Sequence, residues 1–235
     1  LLIDTHDMLM AVGLQAWTQP LRNDETDKDV VQLERFRHHV WWVGGNALAY
    51  RSLLPVAVMY SSAEMVDLLK EVAQRGIGRT SQYTYDSAFW TEGCTEDGAG
   101  WGHGMQCLIW GYPIDGNLNA LNLLTSLQGS PWENKLSEDN KTTLLNYIAG
   151  SNWYYYKGYV TPFVDRQTAD YSKNTPKDPR TLGMVNTLVK SWGDSFDGRQ
   201  RAELAQFQKE AKARDINMEG YPDGLYSGTR WFFNN

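Results

Sequence analysis

The sequence predicts an all-α fold built from helical hairpins. Apolar residues recur at three- and four-residue spacing along most of the chain, in segments of roughly 12 to 18 residues. Serine, aspartate, glycine and proline stand where these segments begin and end, as they do at helix termini. The helices alternate with loops of uneven length, a pattern typical of stacked antiparallel hairpins in an α/α architecture.

Four helices are predicted in the first third of the chain. The first three cover residues 1–18, 28–40 and 44–60. The fourth begins at Ser62 and ends at Gly76, and its apolar face consists of Met65, Leu68, Leu69, Val72 and Ala73.

Two more helices are predicted in the middle of the chain. One opens at Asp115 and ends at Gly129–Pro131, with a leucine stripe formed by Leu118, Leu121, Leu124 and Leu127. The next is capped by Ser137 and closed by Gly150, with Leu144, Leu145 and Ile148 as its apolar residues.

The last two helices follow a polar stretch. Asp178 is an N-cap followed by Pro179 at the first helical position, and this helix extends to Trp192. Its predicted apolar residues are Leu182, Val185, Leu188 and Val189. A more charged helix covers 198–212.

Two stretches interrupt the helical pattern. Residues 91–113 contain six glycines and two tryptophans, and residues 151–177 are aromatic and then polar. Long loops on a helical scaffold are where function usually lies. The chain turns β-like from Gly220, so we expect a helical domain over 1–215 and the start of another domain over 216–235.

Composition excludes some classes of function. The net charge of −6 argues against a nucleic-acid-binding protein, which usually presents a basic face. No apolar run reaches the ~18 residues that a membrane span requires. The 10 Trp and 13 Tyr residues form either a large aromatic core or platforms on which sugar rings stack.

Cys94 and Cys107 bracket the Gly-rich stretch. They form either a disulfide across it or two unrelated buried thiols. Their spacing does not match a zinc site, and we predict no metal and no cofactor.

Three residues are candidates for chemistry. His103 stands between two glycines, which leave room for a ligand, although a histidine there is also consistent with a plain surface loop. Tyr112 follows, either as a reactive phenol or as a buried aromatic. Arg166 comes later in the chain, and an ion pair with Asp165 or Asp170 is its simpler interpretation.

Together, these residues resemble a known family. The stretch Asp97–His103, then Tyr112, then Asn119–Leu121 and Ser130–Trp132 resembles the catalytic segment of polysaccharide lyase family eight, the chondroitin, hyaluronan and xanthan lyases. The resemblance implies a secreted or periplasmic enzyme whose helices form an incomplete (α/α) toroid, followed by a β-sandwich domain. On this basis we expect the chain to be a piece of a longer polypeptide.

The resemblance also implies an activity and its residues. Such an enzyme cleaves an acidic, uronate-containing polysaccharide by β-elimination, with Tyr112 as base and acid, assisted by His103 and Arg166. Trp101 and Trp110 are candidates for stacking on substrate sugars. Asn46 is the candidate for neutralising the uronate carboxylate, with His6 or His39 as alternatives.

The chain departs from the family pattern at several positions. Gly102 precedes the histidine where the ABC lyases have arginine, and Asp165 precedes Arg166 where they have glycine. Two other functions therefore stay open. One is an α/α glycoside hydrolase, which needs two opposed carboxylates, of which Glu96 or Asp97 would supply one. The other is a non-catalytic carbohydrate-binding module.

Overall fold

The computed structural model describes residues 2–18, 53–78, 93–102, 106–108, 112–152, 155–156, 159–160 and 180–216. Within these stretches the protein is mostly helical, as the sequence predicts, with seven α-helices and two small antiparallel β-structures. The helices are α1 (Leu2–Thr18), α2 (53–59), α3 (Ala63–Gly76), α4 (Tyr112–Ser126), α5 (Glu138–Asn152), α6 (Arg180–Trp192) and α7 (Gly198–Ile216). The strands are β1 (Gly93–Cys94), β2 (Gly100–Gly102), β3 (Gln106–Leu108), β4 (Tyr155–Tyr156) and β5 (Tyr159–Val160).

Some predicted elements lie outside the described residues. They are the helix over 28–40, the first part of the helix over 44–60, the Asp178–Pro179 cap and the β-like segment from Gly220. The division at residue 215 stays a prediction.

The helix predicted from Ser62 is confirmed as α3. The Ser62 hydroxyl oxygen accepts a hydrogen bond from the Met65 N–H at 3.2 Å, which caps the first turn. All five predicted apolar residues are buried, together with Val66. This segment therefore folds as a helix, because its apolar face is buried while its charged face stays exposed to water.

A tight turn joins α2 to α3. The Ser61 N–H donates to the Val58 carbonyl (2.9 Å) and the Ser62 N–H to the Ala57 carbonyl (3.0 Å), the bond pattern of a Schellman motif. Ser61 has a φ of 50°, in the left-handed region where glycine is the usual residue. Ser61 and Ser62 thus end one helix and begin the next.

Helix α4 is the central helix of the described part. It begins at Tyr112, three residues before the predicted start. Pro113 is tolerated there, because N–H groups in the first turn of a helix have no intrahelical partner and the missing N–H of proline breaks no bond. It is buried on several sides, and its fully buried residues include Ile114, Asn117, Ala120, Leu121 and Leu124. Helices α3 and α6 both pack against it.

The predicted Ser137 cap is confirmed, and a further cap is present at the last helix. The Ser137 hydroxyl accepts from the Asn140 N–H at 3.0 Å at the start of α5, which continues two residues past Gly150. Asp197 and Gln200 form a reciprocal capping box at α7. The prediction that Val189 of α6 is a core residue is wrong, since this residue is 41% exposed. Met184 and Trp192 of the same helix are buried instead.

Two hydrogen bonds define one end of the layer formed by α4, α5 and α6. The Trp192 indole N–H donates to the Asn134 carbonyl (3.1 Å), and the Lys141 ammonium group donates to the Ser195 carbonyl (2.8 Å). The α4–α5 connection and the α6–α7 turn therefore meet there, and we call it the short-connection end. Helices α4 and α6 run toward it, whereas α5 runs away from it.

The β1–β2 turn lies toward the opposite end, because its Gly98 packs against Gly150 near the C-terminus of α5. Three helices have a terminus at this end: α4 begins at Tyr112, α5 ends at Asn152 and α6 begins at Arg180. Each helix extends from one end of the layer to the other, with a rise of ~1.5 Å per residue. We call this end the sheet end.

Candidate functional site

The Gly-rich stretch contains a three-stranded antiparallel sheet, ordered β1-β2-β3. The prediction of a loop over the whole of residues 91–113 is wrong in this respect. Cys94 pairs with Gly100 in the first ladder, and Gly102 pairs with Gln106 in the second. Strands of two or three residues rich in glycine show no side-chain alternation, so the pattern that identifies a strand in a sequence is missing.

The turn between β1 and β2 is closed by several hydrogen bonds. The Gly98 N–H donates to the Thr95 carbonyl (3.1 Å), and the Thr95 N–H donates to the Ala99 carbonyl (2.8 Å). The Thr95 hydroxyl oxygen accepts from the Ala99 N–H at 3.0 Å and lies 2.5 Å from an oxygen of the Asp97 carboxylate, to which it donates. Gly98 has a φ of +84°, the left-handed backbone that such hairpin turns require.

This turn is packed on helix α5 without side chains between the two backbones. A Cβ atom on Gly150 would lie 2.5 Å from the Asp97 carbonyl oxygen and 2.8 Å from the Gly98 Cα. A Cβ atom on Gly98 would clash with the Asn146 carbonyl oxygen. Both positions therefore require glycine, because only a residue without a Cβ permits this approach.

Strand β1 is attached to two other helices. The Cys94 N–H donates to the Gly78 carbonyl, just beyond α3, at 3.0 Å. The Asn117 amide group, on α4, donates to the Cys94 sulfur at 3.4 Å. The sheet is thereby fixed to three helices, α3, α4 and α5.

Asn117 is a feature that the sequence analysis missed. It is fully buried, and its amide oxygen has no hydrogen-bond partner. The signal in the sequence is an asparagine inside the leucine-rich stretch of α4, where a polar residue is costly unless it is hydrogen-bonded.

The two cysteines do not form the disulfide that the sequence left open. Cys94 is a free, buried thiol. Cys94 is on β1 and Cys107 on β3, with β2 between them. Two strand spacings come to ~10 Å, beyond the ~7 Å that a disulfide spans between Cα atoms. Burial raises the pKa of the Cys94 thiol from 9.0 to about 11, and the Asn117 hydrogen bond opposes this rise.

Of the predicted catalytic residues, only Tyr112 lies in the part of the chain that the structure describes. Tyr112 is the first residue of α4. His103 directly follows Gly102, the last residue of β2, and itself lies outside the described residues. Arg166, in the stretch between β5 and α6, also lies outside them. Their roles stay predictions.

The predicted binding residues are described only in part. Trp101 is the middle residue of β2, where it pairs with Gly93 and Cys107. Trp110, Asn46 and His39 lie outside the described residues.

His6, the other alternative for the carboxylate, lies on the surface of α1. Its side chain is 66% exposed, and its Nδ1 atom is 3.3 Å from the Asp7 carboxylate. That contact is an exposed pair of sequence neighbours, which contributes little to stability.

Other features of the described residues bear on the competing functions. Glu96 and Asp97 are both exposed in the β1–β2 turn. No group of three His, Cys, Asp or Glu side chains that could hold a metal occurs in the stretches that the structure describes. The helices described there include none that is long and apolar enough to cross a membrane.

A separate open groove lies between α5 and α7. Apolar side chains of both helices line it, among them Leu145, Ile148 and Phe207, and Arg199 and Glu203 pair at its edge. The described residues that line this groove include none of the predicted catalytic or binding residues.

Comparison of the chain with protein-family models, with curated proteins and with solved structures finds no match.

Proposed function

We propose that this protein is a polysaccharide lyase that cleaves a uronic-acid-containing polysaccharide by β-elimination at the sheet end of its helical domain. One observation carries the proposal. The strand that leads into His103 and the helix that begins at Tyr112 are packed together, with Asn117 of α4 bonded to Cys94 of β1. The proposal also rests on the resemblance of Asp97–His103 and Tyr112 to the lyase motif.

The reaction requires two functions from the protein. A base removes the C5 proton of the uronate, the released electron pair forms the C4–C5 double bond, and the bond from C4 to the glycosidic oxygen breaks. The leaving oxygen then takes a proton. Negative charge develops beside the existing carboxylate, so hydrogen-bond donors must stabilise it.

The residues of this chain would divide these functions. Tyr112 would take the C5 proton as phenolate and return it to the leaving oxygen. Free tyrosine has a pKa of about 10, so a cation must favour its ionised form, and Arg166 is the candidate. His103 would donate to the uronate carboxylate and to the charge that develops there. No metal or cofactor takes part in this scheme.

The anchored hairpin favours this use of the sheet end. Catalytic groups need fixed geometry, and the β1–β2 turn is held on α5 by direct backbone contact. The alternating directions of α4, α5 and α6 are consistent with hairpins of an (α/α) toroid, the architecture that belongs to this proposal. A secreted or periplasmic location and a following β-sandwich domain belong to it as well.

The product tests the proposal. The full-length protein is incubated with a panel of uronate polysaccharides, including chondroitin, dermatan, hyaluronan and xanthan, and ultraviolet absorbance is followed. A lyase leaves an unsaturated uronate that absorbs in the ultraviolet, whereas a glycoside hydrolase leaves a saturated, reducing sugar. Reducing ends without ultraviolet absorbance would replace the proposal with the hydrolase.

Variants at the proposed site extend the test. We expect Tyr112→Phe to abolish most turnover, and His103→Ala to lower kcat by roughly a hundred-fold or more, the scale for losing one preorganised donor. Substrate binding, measured on the inactive variants by calorimetry, should persist. Wild-type turnover in both variants would contradict the proposal.

A further inference from the structure

The β1–β2 turn is attached to the scaffold more tightly than a surface turn needs to be. Its Gly98 lies directly against α5, where a Cβ on Gly150 would come within 2.8 Å of the Gly98 Cα. The Asp97 and Gly98 backbone therefore has a defined distance from the axis of α5. Ordinary surface turns tolerate insertions and carry no such backbone-to-backbone contact.

The turn is also rigid within itself. The Thr95 hydroxyl joins the Asp97 carboxylate to the Ala99 N–H, and the Thr95 N–H is bonded to the Ala99 carbonyl. Strand β2 begins at Gly100, directly after this network, and ends at Gly102. If the turn moves, the three paired residues of β2 move with it, and the chain that follows them starts from a different position.

From these contacts we infer that Gly150, Gly98 and Thr95 are positioning residues of the proposed active site. They set the position of β2, the strand that precedes His103 in the sequence, relative to the helix that starts at Tyr112. This inference rests on the proposed function. None of the three residues touches the reacting atoms in this scheme; they act through the hairpin.

The first test adds one methyl group at the contact. In Gly150→Ala the new Cβ would stand 2.5 Å from the Asp97 carbonyl oxygen, whereas ordinary contacts begin at 3.4 Å, so the turn must withdraw by about 1 Å. A misplacement of this size can cost on the order of a hundred-fold in rate. We expect kcat to fall by about ten- to a hundred-fold and KM to rise by a much smaller factor, because Trp101 on β2 is only one of the proposed contacts that bind the polymer.

Gly183 provides the matched control. It is also a helical glycine, in α6, but a Cβ there meets no atom within 4 Å. Gly183→Ala should keep wild-type kcat and KM. A folded Gly150→Ala protein with wild-type kcat would overturn the inference, as would an equal loss of kcat in Gly183→Ala.

The second test leaves α5 intact, so it decides the matter even if Gly150→Ala does not fold. Thr95→Val keeps the shape of the side chain but removes the hydroxyl that joins Asp97 to Ala99, whereas Thr95→Ser retains the hydroxyl. We expect a several-fold loss of kcat in Thr95→Val and recovery in Thr95→Ser. Equal, wild-type kcat values in the two variants would overturn the inference.

Parallel assays separate this inference from the proposed function. If His103→Ala loses turnover but the Gly150 and Thr95 variants keep it, only the positioning role fails. If His103→Ala keeps wild-type turnover, the proposed function fails regardless of the other variants.

Discussion

Cys94 and Asn117 form a buried polar contact between a strand and a helix. The thiol is buried beside a buried amide, and Asn117 donates to the sulfur across the boundary between α4 and β1. The amide oxygen of Asn117 has no partner, which costs stability at this position. The contact attaches the sheet to α4 in spite of this cost.

The burial of Cys94 predicts its reactivity. With a pKa of about 11, the thiol stays protonated at pH 8, and the thiolate is the reactive form. In a Cys107→Ser background, we expect iodoacetamide not to modify the native protein at pH 8 and to modify it fully after denaturation. Rapid modification of the folded protein, detected by mass spectrometry, would contradict this expectation.

The same pKa has a consequence for stability. The folded state holds the proton up to about pH 11, whereas the unfolded thiol loses it near 9.0, so ionisation of the unfolded state reduces stability between these values. The advantage of the wild type over Cys94→Ala should therefore shrink by up to ~3 kcal/mol as the pH rises from 8 to 11. Urea unfolding of both proteins across this pH range measures the difference.

At the scale of secondary structure, the turn between α2 and α3 makes two neighbouring serines behave in opposite ways. Ser61 is exposed and has a φ of 50°, a conformation that costs a residue with a Cβ ~1 kcal/mol. Ser62 caps α3 with its hydroxyl group. Their contributions to the free energy of unfolding therefore have opposite signs.

Two substitutions measure these contributions. We expect Ser61→Gly to raise the free energy of unfolding by ~1 kcal/mol, since glycine adopts the left-handed conformation without steric cost. We expect Ser62→Ala to lower it by ~1 kcal/mol, because the Met65 N–H loses its acceptor. Chemical denaturation tests both, and a destabilised Ser61→Gly protein would show that the serine side chain stabilises the turn.

At the scale of the whole molecule, Asn140 joins elements that are far apart in the sequence. Its amide group donates to the Gln74 carbonyl (2.9 Å) and to the Ile77 carbonyl (2.7 Å), at the C-terminal end of α3. These carbonyls have no partner within their own helix, as is usual at a helix C-terminus. The side chain therefore fixes the start of α5 against the end of α3.

Removing this link should destabilise the fold. We expect Asn140→Ala to lower the free energy of unfolding by roughly 2 kcal/mol, because two acceptors lose their donor in a buried place. Asn122→Ala is the matched control, since Asn122 is exposed on α4 and its replacement should change stability by less than ~0.5 kcal/mol. Equal stability of the two variants would mean that the link contributes nothing.

The sequence by itself determined most of the described helices and several of their ends. The burial of Met65, Leu68 and Leu69 follows from their helical spacing, and Ser62 and Ser137 cap helices because their hydroxyl groups accept from N–H groups three residues later. These features depend on neighbours within one or two turns. They can therefore be predicted without knowledge of the rest of the chain.

Only the tertiary structure decided how these elements are arranged around the candidate site. The backbone contact of Gly98 with Gly150 and the bond from Asn117 to Cys94 both join elements that are far apart in the sequence. A glycine or an asparagine has no local pattern that indicates which distant segment it will meet. Such contacts form only when the helices pack, because packing places segments that are far apart in the sequence beside each other.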